Sequence, residues 1–583
     1  MAPGGQAGAA GDPAGAGGAA GIAGSGGTDA GSGGAAAAGG AGSGGTDADS
    51  GDAGAADGGR AGEPAAGSAA PPETIQVSDR SAMTNAWWAY ERAETHTAIT
   101  SKIQVPTRDG TSLGCTLSRP GTNGVLAEGK FPGLVVEFTP YALQHESYVT
   151  EAAFFTKRGY NTVVCNIRGT GDSGGTWQHA GAAQDRLDAY DLVEWLATQP
   201  FADGRMGQLG ESYGGQTTYG SAVEQAPHLL AIAPMQPPAD LYHDVNYPGG
   251  IETAAGGDTN NWPPVAELLS FGKISAQAEY DIWHAHPTYD DFWSSRSLRG
   301  RHDAITVPVL TIGGWDDGYF RSGTLTNIEG ALERTWAIYG PFPHLPPVDL
   351  GTCDTACVED PLPGGVMLAW FDHWVMQLPN VPIPERPTFV SFEGPKAGAG
   401  QGYRELSAWV PAGTEATTYE LGADNTLSEK ASATSPLMFH EPGEAADAGA
   451  ALTFSTAPLD ADRVLIGHPV LALRATLSAG DANFYVQLLD VDASDKETLV
   501  NDGFRRASYR DSYTMPTPAP VGEAIDYAID IRAQHYRFAA GHRVRIRVWG
   551  GPKSNVVQPS AVDVTVETGP HSTLRMPHFA AMP

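Results

Sequence analysis

Five consecutive residues, Gly210-Glu211-Ser212-Tyr213-Gly214, followed by Gly215, have the types and order that present an activated serine. The run RMGQL (Arg205–Leu209) before them reads as a strand, and Gln216–Glu224 after them can be helical. A GxSxG at a strand-to-helix turn is a nucleophile elbow. The turn is sharp and the backbone is strained at the serine, while the flanking glycines let neighbouring main chain pass without a Cβ clash. Such a turn lifts Oγ out of the sheet and aims the next backbone N–H, that of Tyr213, at the oxygen of the carbonyl under attack. The chemistry would be acyl transfer, with Ser212 attacking an ester or amide carbonyl.

A serine hydroxyl at its free pKa is a weak nucleophile. It needs a base, and the base needs an orienting carboxylate. After an elbow of this kind the acid precedes the histidine in the chain. Downstream of Ser212, VPVLTIGGW runs into Asp316-Asp317-Gly318, and WAIY leads into Gly340-Pro341-Phe342-Pro343-His344. A carboxylate and an imidazole just past parallel strands would lie together at the carboxyl edge of the sheet. His302 has neither position nor order in its favour and reads as a surface or satisfied core histidine.

The elements that must position these groups are legible as apolar runs. Strands are expected at Gly133–Phe138 (GLVVEF), Tyr160–Ile167, Arg205–Leu209, Val307–Ile312 and Trp336–Tyr339, with a helix over Asp188–Thr198. Near-continuous β-branched strands alternating with helices argue for a mostly parallel sheet covered on both faces. The stretch from Pro238 to about Ala304, rich in Trp, Tyr, His, Asn and Gly, breaks this rhythm and reads as an inserted, largely helical cap. After about Pro387 the runs become short and alternating: Ala451–Ser455, Val464–Ile466, Val470–Leu477, Asn483–Leu489 and Val544–Val548. That is the texture of an antiparallel β-sandwich. No repeat of fixed period is present.

Residues 1–72 contain no Leu, Val, Phe, Tyr or Trp. Such Gly/Ala/Ser/Asp sequence cannot bury enough apolar area to offset chain entropy, so a disordered tether is expected. The whole chain has 583 residues and a formal charge of −32, which argues against a nucleic-acid partner. No run approaches 18 apolar residues, so no transmembrane helix is expected. Cys353 and Cys357 either close a small disulfide loop or stand as two thiols. Cys115 and Cys165, in apolar runs, read as small buried side chains. The CxxxC lacks a second ligand pair for zinc. Met1 is followed by no charged and apolar leader, yet the tether and the cysteine pair point toward export or a bacterial surface.

Several stretches, taken in order, resemble the CocE/NonD hydrolases, a group spanning cocaine esterase, α-amino-acid ester hydrolases, glutaryl acylase and Xaa-Pro dipeptidyl-peptidases. They are Val105-Pro-Thr-Arg-Asp-Gly110, Thr139-Pro140-Tyr141, Arg168-Gly-Thr-Gly-Asp-Ser-Gly174, Asp191-Leu-Val-Glu-Trp195 and Asp203-Gly-Arg-Met-Gly207. Ile232-Ala-Pro234, Gly314-Trp315-Asp316-Asp317-Gly318, Gly340-Pro341 ahead of His344, and Asp502-Gly503 ahead of Arg505-Arg506-Ala507 follow. The resemblance implies an α/β-hydrolase domain over 73–386 with its cap at about 238–304, and a jelly-roll sandwich over 387–583. It places the acid at Asp317 and not Asp316, the base at His344, and the second oxyanion donor at the Tyr141 hydroxyl beside the Tyr213 N–H. It implies no metal or organic cofactor, and a small ester, amide or short peptide as substrate. Phe342 departs from the family's usual Trp, Asp316 from a frequent aromatic, and the segment between Ser212 and Asp317 is short.

Trp315, Tyr247, Trp262 and Phe271 could line a substrate pocket, although ordinary packing suits each as well. Asp490, Asp492 and Asp495 lack the Gly and Glu of a calcium loop and read as a hairpin turn. The Arg168–Gly175 loop lacks the Lys-Ser/Thr of a phosphate cradle, and Trp87 and Trp88 read as packing residues. Ester versus amide, and the need for an α-amino group, stay open; dipeptidyl-peptidase and α-amino-acid ester hydrolase activities are the alternatives. The competing class is a surface-binding protein whose sandwich recognises carbohydrate.

Overall fold

In the computed structural model the described residues are 77–253, 275–353, 357–395, 402–443, 451–552, 556–557 and 559–580. The expected tether at 1–72 lies outside them. The first half of the described chain builds a twelve-stranded mixed sheet. Its strands are β1 (Val77–Asp79), β2 (Thr97–Pro106), β3 (Ser112–Thr122), β4 (Val125–Leu126), β5 (Phe131–Thr139), β6 (Asn161–Asn166) and β7 (Ala202–Glu211). They continue with β8 (Leu229–Met235), β9 (Val309–Gly314) and β10 (Thr335–Gly340). The short β11 (Val348–Asp349) and β12 (Leu362–Pro363) pair only with each other, and β13 (Phe389–Phe392) and β14 (Tyr403–Leu406) complete the large sheet. The order is β1-β14-β13-β10-β9-β8-β7-β5-β6-β3-β2, with β4 on β3. From β6 to β13 every neighbouring pair is parallel, and antiparallel pairs close both edges.

The central strands are buried almost end to end, as their unbroken apolar runs require. Helices α1 (Ala82–Trp88), α2 (His145–Thr156), α3 (Ala183–Ala197) and α4 (Tyr213–Val223) come from the first part of the domain. On one face, α3 and α4 pack against Val135, Phe138 and Ile232; on the other, α2 and a later helix pack against Leu134, Val136 and Leu310. Trp87 is fully buried and donates its Nε1–H to Val366 O at 3.0 Å, a packing role like that of Trp88. In the segment expected as a cap, the described elements are a π-helical turn at Tyr242–Asn246, short 3-10 turns at Pro248–Gly250 and His302–Ala304, α5 (Ala276–His284) and α6 (Asp291–Arg296). This half continues with α7 (Arg321–Gly330) and α8 (Gly365–Trp374).

The sandwich comprises a nine-stranded and a four-stranded sheet that share one core. Leu473, Phe484, Ile546 and Val564 are among its buried members. Two expectations need correction. Strands β13 and β14 follow Pro387 yet belong to the large sheet, because β13 pairs parallel with β10 and β14 pairs antiparallel with both β13 and β1. The sandwich therefore starts beyond Leu406. Cys115 and Cys165 are buried but also bonded to each other. They stand directly opposite on antiparallel β3 and β6, which brings their Cα atoms to 4.1 Å. Cys353 and Cys357 form a second disulfide. Asp492 accepts from the Ser494 and Lys496 N–H groups in a hairpin turn, as expected of a structural carboxylate.

Candidate active site

Adjacent strands of the sheet bring their carboxyl ends together, and the expected residues lie there. Ser212 follows β7 directly and caps α4, with φ 57° and ψ −118°, a region that residues with a side chain rarely enter. Its N–H donates to Met235 O of β8 at 2.9 Å and its carbonyl accepts from Gln216 N at 3.0 Å, so strand ladder and helix grip it from both sides. The glycines have steric reasons: a Cβ on Gly210 would lie 2.6 Å from the Gly214 carbonyl carbon, and one on Gly215 would lie 2.8 Å from Met235 O.

His344 reaches back from the loop after β10. Its Nε2 is 2.9 Å from Ser212 Oγ and its Nδ1 is 3.1 Å from Asp317 Oδ2. An ionised carboxylate only accepts, so Nδ1 carries the hydrogen and Nε2 is left to accept from the serine hydroxyl. Asp317 is fully buried, and its Oδ1 accepts the N–H groups of Tyr319 and Phe320 at 2.8 and 3.0 Å. Burial opposes its charge, but His344 and these hydrogen bonds outweigh burial and hold the carboxyl below its usual range. Burial likewise opposes a charged His344, yet Asp317, with a smaller contribution from Glu211, raises the imidazole above its ordinary value. The rings of Tyr319 and Phe320 lie 5.0 and 5.1 Å from the imidazole and restrict its tilt. Asp316, one residue earlier, is exposed.

Tyr141 lies two residues past the end of β5. Burial first, and then the charges of Glu137 and Glu211, push its hydroxyl up to about 12, so it remains a donor at neutral pH. The Tyr213 N–H belongs to the first residue of α4, where no residue of the preceding turn can accept it. The Tyr213 ring packs edge-on to Tyr141, and its hydroxyl donates to Asp185 at 2.7 Å while accepting from Gly181 N. The arrangement is a serine with a hydrogen-bonded imidazole and an oriented carboxylate, with the Tyr141 ring packed on the residue that follows the serine. That can carry acyl transfer.

The pocket expectations fare differently. Trp315 is buried in a stack with Tyr339 and Trp409, ring centroids 4.3 and 5.6 Å away, because the segment after β14 covers that side of the sheet. Tyr247 is buried against Tyr242 and Trp293. Both pack and do not present a surface to substrate. Trp262 and Phe271 lie outside the described residues. His302 is a satisfied core histidine, with Nε2 2.9 Å from Asn327 Oδ1. Arg168 binds Asp188 and Asp109, which gives its glycine-rich loop a structural anchor.

Three residues beside the site were not singled out in the sequence. Glu137 and Glu151 join Glu211 in a cluster of carboxyls behind Ser212. Burial, reinforced by like charge, pushes Glu211 up to about 8, and burial pushes Glu151 up to about 7. For Glu137 the signal was there: a charge inside the apolar run GLVVEF. On α5, buried Glu279 accepts from Trp177 Nε1, His179 Nδ1 and Ala180 N, tying the 177–180 loop to this helix. A lookalike set also exists: His535 Nδ1 lies 2.9 Å from Ser391 Oγ with Glu393 at 3.6 Å from Nε2, but all three are shut off from solvent. Among the described residues no group of three or more His, Cys, Asp and Glu is placed to hold a metal ion, and no helix is long and apolar enough to cross a membrane.

Residues 109–346 match the X-Pro dipeptidyl-peptidase (S15) family, and residues 372–581 match the X-Pro dipeptidyl-peptidase C-terminal non-catalytic domain. A cocaine esterase from Rhodococcus sp. (strain MB1 Bresler) is 26% identical over 534 residues, covering 77% of this chain and 90% of that protein. A CocE/NonD family hydrolase from Staphylococcus aureus has the same fold, with a TM-score of 0.69 at 19% identity over 83% of this chain and 94% of that one. An α-amino acid ester hydrolase does so with a TM-score of 0.67 at 18% identity, over 84% and 98%.

Proposed function

The chain belongs to the S15 hydrolases, carrying in order their catalytic and C-terminal domains, and we propose that it cleaves carboxylic esters or amides through an acyl-enzyme on Ser212. The observation that carries this reading is the unbroken line from Ser212 Oγ to His344 Nε2 and from His344 Nδ1 to Asp317. His344 removes the hydroxyl proton as Oγ attacks the carbonyl carbon. The tetrahedral oxyanion is held by the Tyr141 hydroxyl and the Tyr213 N–H. His344 passes its proton to the leaving alcohol or amine, which departs. Water, deprotonated by the same imidazole, then adds to the acyl-enzyme, and collapse returns the proton to Ser212.

The surroundings favour an uncharged acyl group. Glu211 is the carboxyl next to the nucleophile, and its raised pKa keeps it mainly neutral at pH 7. The first residues after the Asp317 turn are the aromatic Tyr319 and Phe320. A second reading, cleavage next to an α-ammonium group, rests on the same Glu211, which would ionise beside a bound cation. Export is the reading we give to the two disulfides together with the Gly/Ala/Ser-rich leading segment.

Ser212→Ala should abolish labelling by a fluorophosphonate probe with the fold intact by circular dichroism. Stoichiometric labelling of the folded variant would mean that another residue is the nucleophile. A panel of p-nitrophenyl esters and aminoacyl p-nitroanilides should show higher kcat/KM for the neutral esters; preference for the aminoacyl compounds selects the second reading.

A further inference from the structure

Strand β5 departs from regular alternation at Glu137. Leu134 and Val136 enter the core on one face and Val135 on the other, but the next residue on Val135's side is Phe138, not Glu137. The pairing with β6 shifts register between Val135 and Phe138, and Glu137 has φ 61°, in the left-handed region that favours glycine. A β-bulge therefore takes Glu137 out of the strand's alternation, in the middle of the sheet and only four residues before Tyr141.

The displaced side chain is aimed at the serine elbow. Glu137 Oε1 accepts the backbone N–H of Glu211 at 2.5 Å. Oε2 is buried without a hydrogen-bond partner among the described residues and faces the Gly214 Cα so closely that any Cβ there would overlap it. The residue is 3% exposed. Burial, with the charges of Glu211 and Glu151, pushes its carboxyl well above the usual range. An acceptor with one oxygen left unsatisfied is an expensive way to fill space. Its contacts fall on the residues on either side of Ser212 and Tyr213.

We propose that Glu137 is a positioning residue that sets the separation of the two oxyanion donors, because it bridges the strand that delivers Tyr141 to the turn that delivers the Tyr213 N–H. This rests on the oxyanion-hole reading given above. Only the transition state needs both donors at once, so loss of the bridge should fall on kcat and spare KM. A second tie limits the loss: Thr217 Oγ1 donates to Phe138 O at 2.8 Å and still holds β5 to α4.

The test compares Glu137→Met, which keeps the volume and removes the acceptor, with Glu137→Gln, which keeps the acceptor, each alone and combined with Tyr141→Phe. Substrates are p-nitrophenyl esters under conditions where chemistry limits the rate. A misplacement on the scale of 1 Å can cost ~10²-fold, so Glu137→Met should lose about 10- to 100-fold in kcat with KM nearly constant. Glu137→Gln should recover most of that loss. In the Tyr141→Phe background Glu137→Met should add little, because one of the two donors it spaces is already gone. Wild-type kcat in Glu137→Met, Glu137→Gln as impaired as Met, or fully multiplicative losses would overturn the proposal. If Glu137→Met does not fold, Glu137→Asp replaces it: one methylene shorter, it should also lose kcat, and an unimpaired Asp variant overturns the proposal. Wild-type kcat in Tyr141→Phe alone would instead defeat the oxyanion-hole reading.

Discussion

Asp316 and Asp317 are consecutive in the chain and face opposite environments. Asp317 is fully buried with both oxygens engaged, one by His344 and one by two backbone N–H groups, whereas Asp316 is exposed. Asp317→Asn should therefore cost on the order of 10⁴ in kcat, the scale known for this substitution in a serine protease. Asp316→Asn should leave kcat close to wild type. Steady-state kinetics on one ester decide the matter, and a greater loss at Asp316 would refute the assignment.

Tyr141→Phe removes one oxygen without disturbing the ring's packing on Tyr213. With its hydroxyl serving as an oxyanion donor, kcat should fall by roughly 10² to 10³ with KM little changed. A variant that keeps more than half of wild-type kcat would take Tyr141 out of the mechanism.

The pH profile follows from His344. Its neutral form must take the Ser212 proton, and its pKa lies above the ordinary 6.5. The acid limb of kcat/KM should therefore lie above pH 6.5, with activity lost as pH falls through it. Asp317→Asn removes the charge that raises this pKa and leaves burial, which lowers it, so the limb should move to lower pH. For stability the sign is opposite: His344's contribution is present below the unfolded value and fades as pH rises through the folded one. A limb at or below 6.5 in the wild type would contradict the pairing with Asp317.

The two disulfides should differ in what they stabilise. Cys115–Cys165 spans 50 residues and Cys353–Cys357 spans 4. In the chain-entropy account the longer loop is worth about 2 kcal/mol more. Replacing the Cys115–Cys165 pair by alanine should lower the urea midpoint clearly more than replacing the Cys353–Cys357 pair. The reverse order would mean that contacts around the short loop dominate.

Order and spacing along the chain are enough to find Ser212, His344 and the Asp316-Asp317 pair, because each lies shortly after a parallel strand, whereas the choice of Asp317 over Asp316 rests on the family resemblance. Strand β8 (Leu229–Met235) is harder to see: Pro234 lies inside it and the cap sequence begins at once. Other features depend on what lies across the sheet. The Cys115–Cys165 bond follows from antiparallel register, and a separation of 50 residues in the chain carries no trace of it. The bulge that turns Glu137 toward the elbow is equally invisible, although a lone charge among Leu, Val and Phe marks the place. Trp315 has the position of a pocket residue, but the segment after β14 buries it. The boundary near Pro387 is a real change of texture, yet the chain returns to the large sheet for two more strands before leaving it.

That return has a consequence for how such proteins can exchange parts. β14 joins the N-terminal β1 to β13, and Ser391 of β13 with Glu393 and Gly394 just after it contact His535 and Arg537 of the sandwich. Among the described residues the join is woven. A chimera cut at Pro387 would take two strands from one parent and ask them to complete the sheet of the other. A cut after Leu406 would keep that sheet whole and leave side-chain contacts and a few backbone hydrogen bonds, such as those of Gly394 with His535 and Arg537, to be matched. Recombination between family members should therefore preserve β13 and β14 with the hydrolase half, and grafted sandwiches should have to match contacts such as those of Trp409, His535 and Arg537.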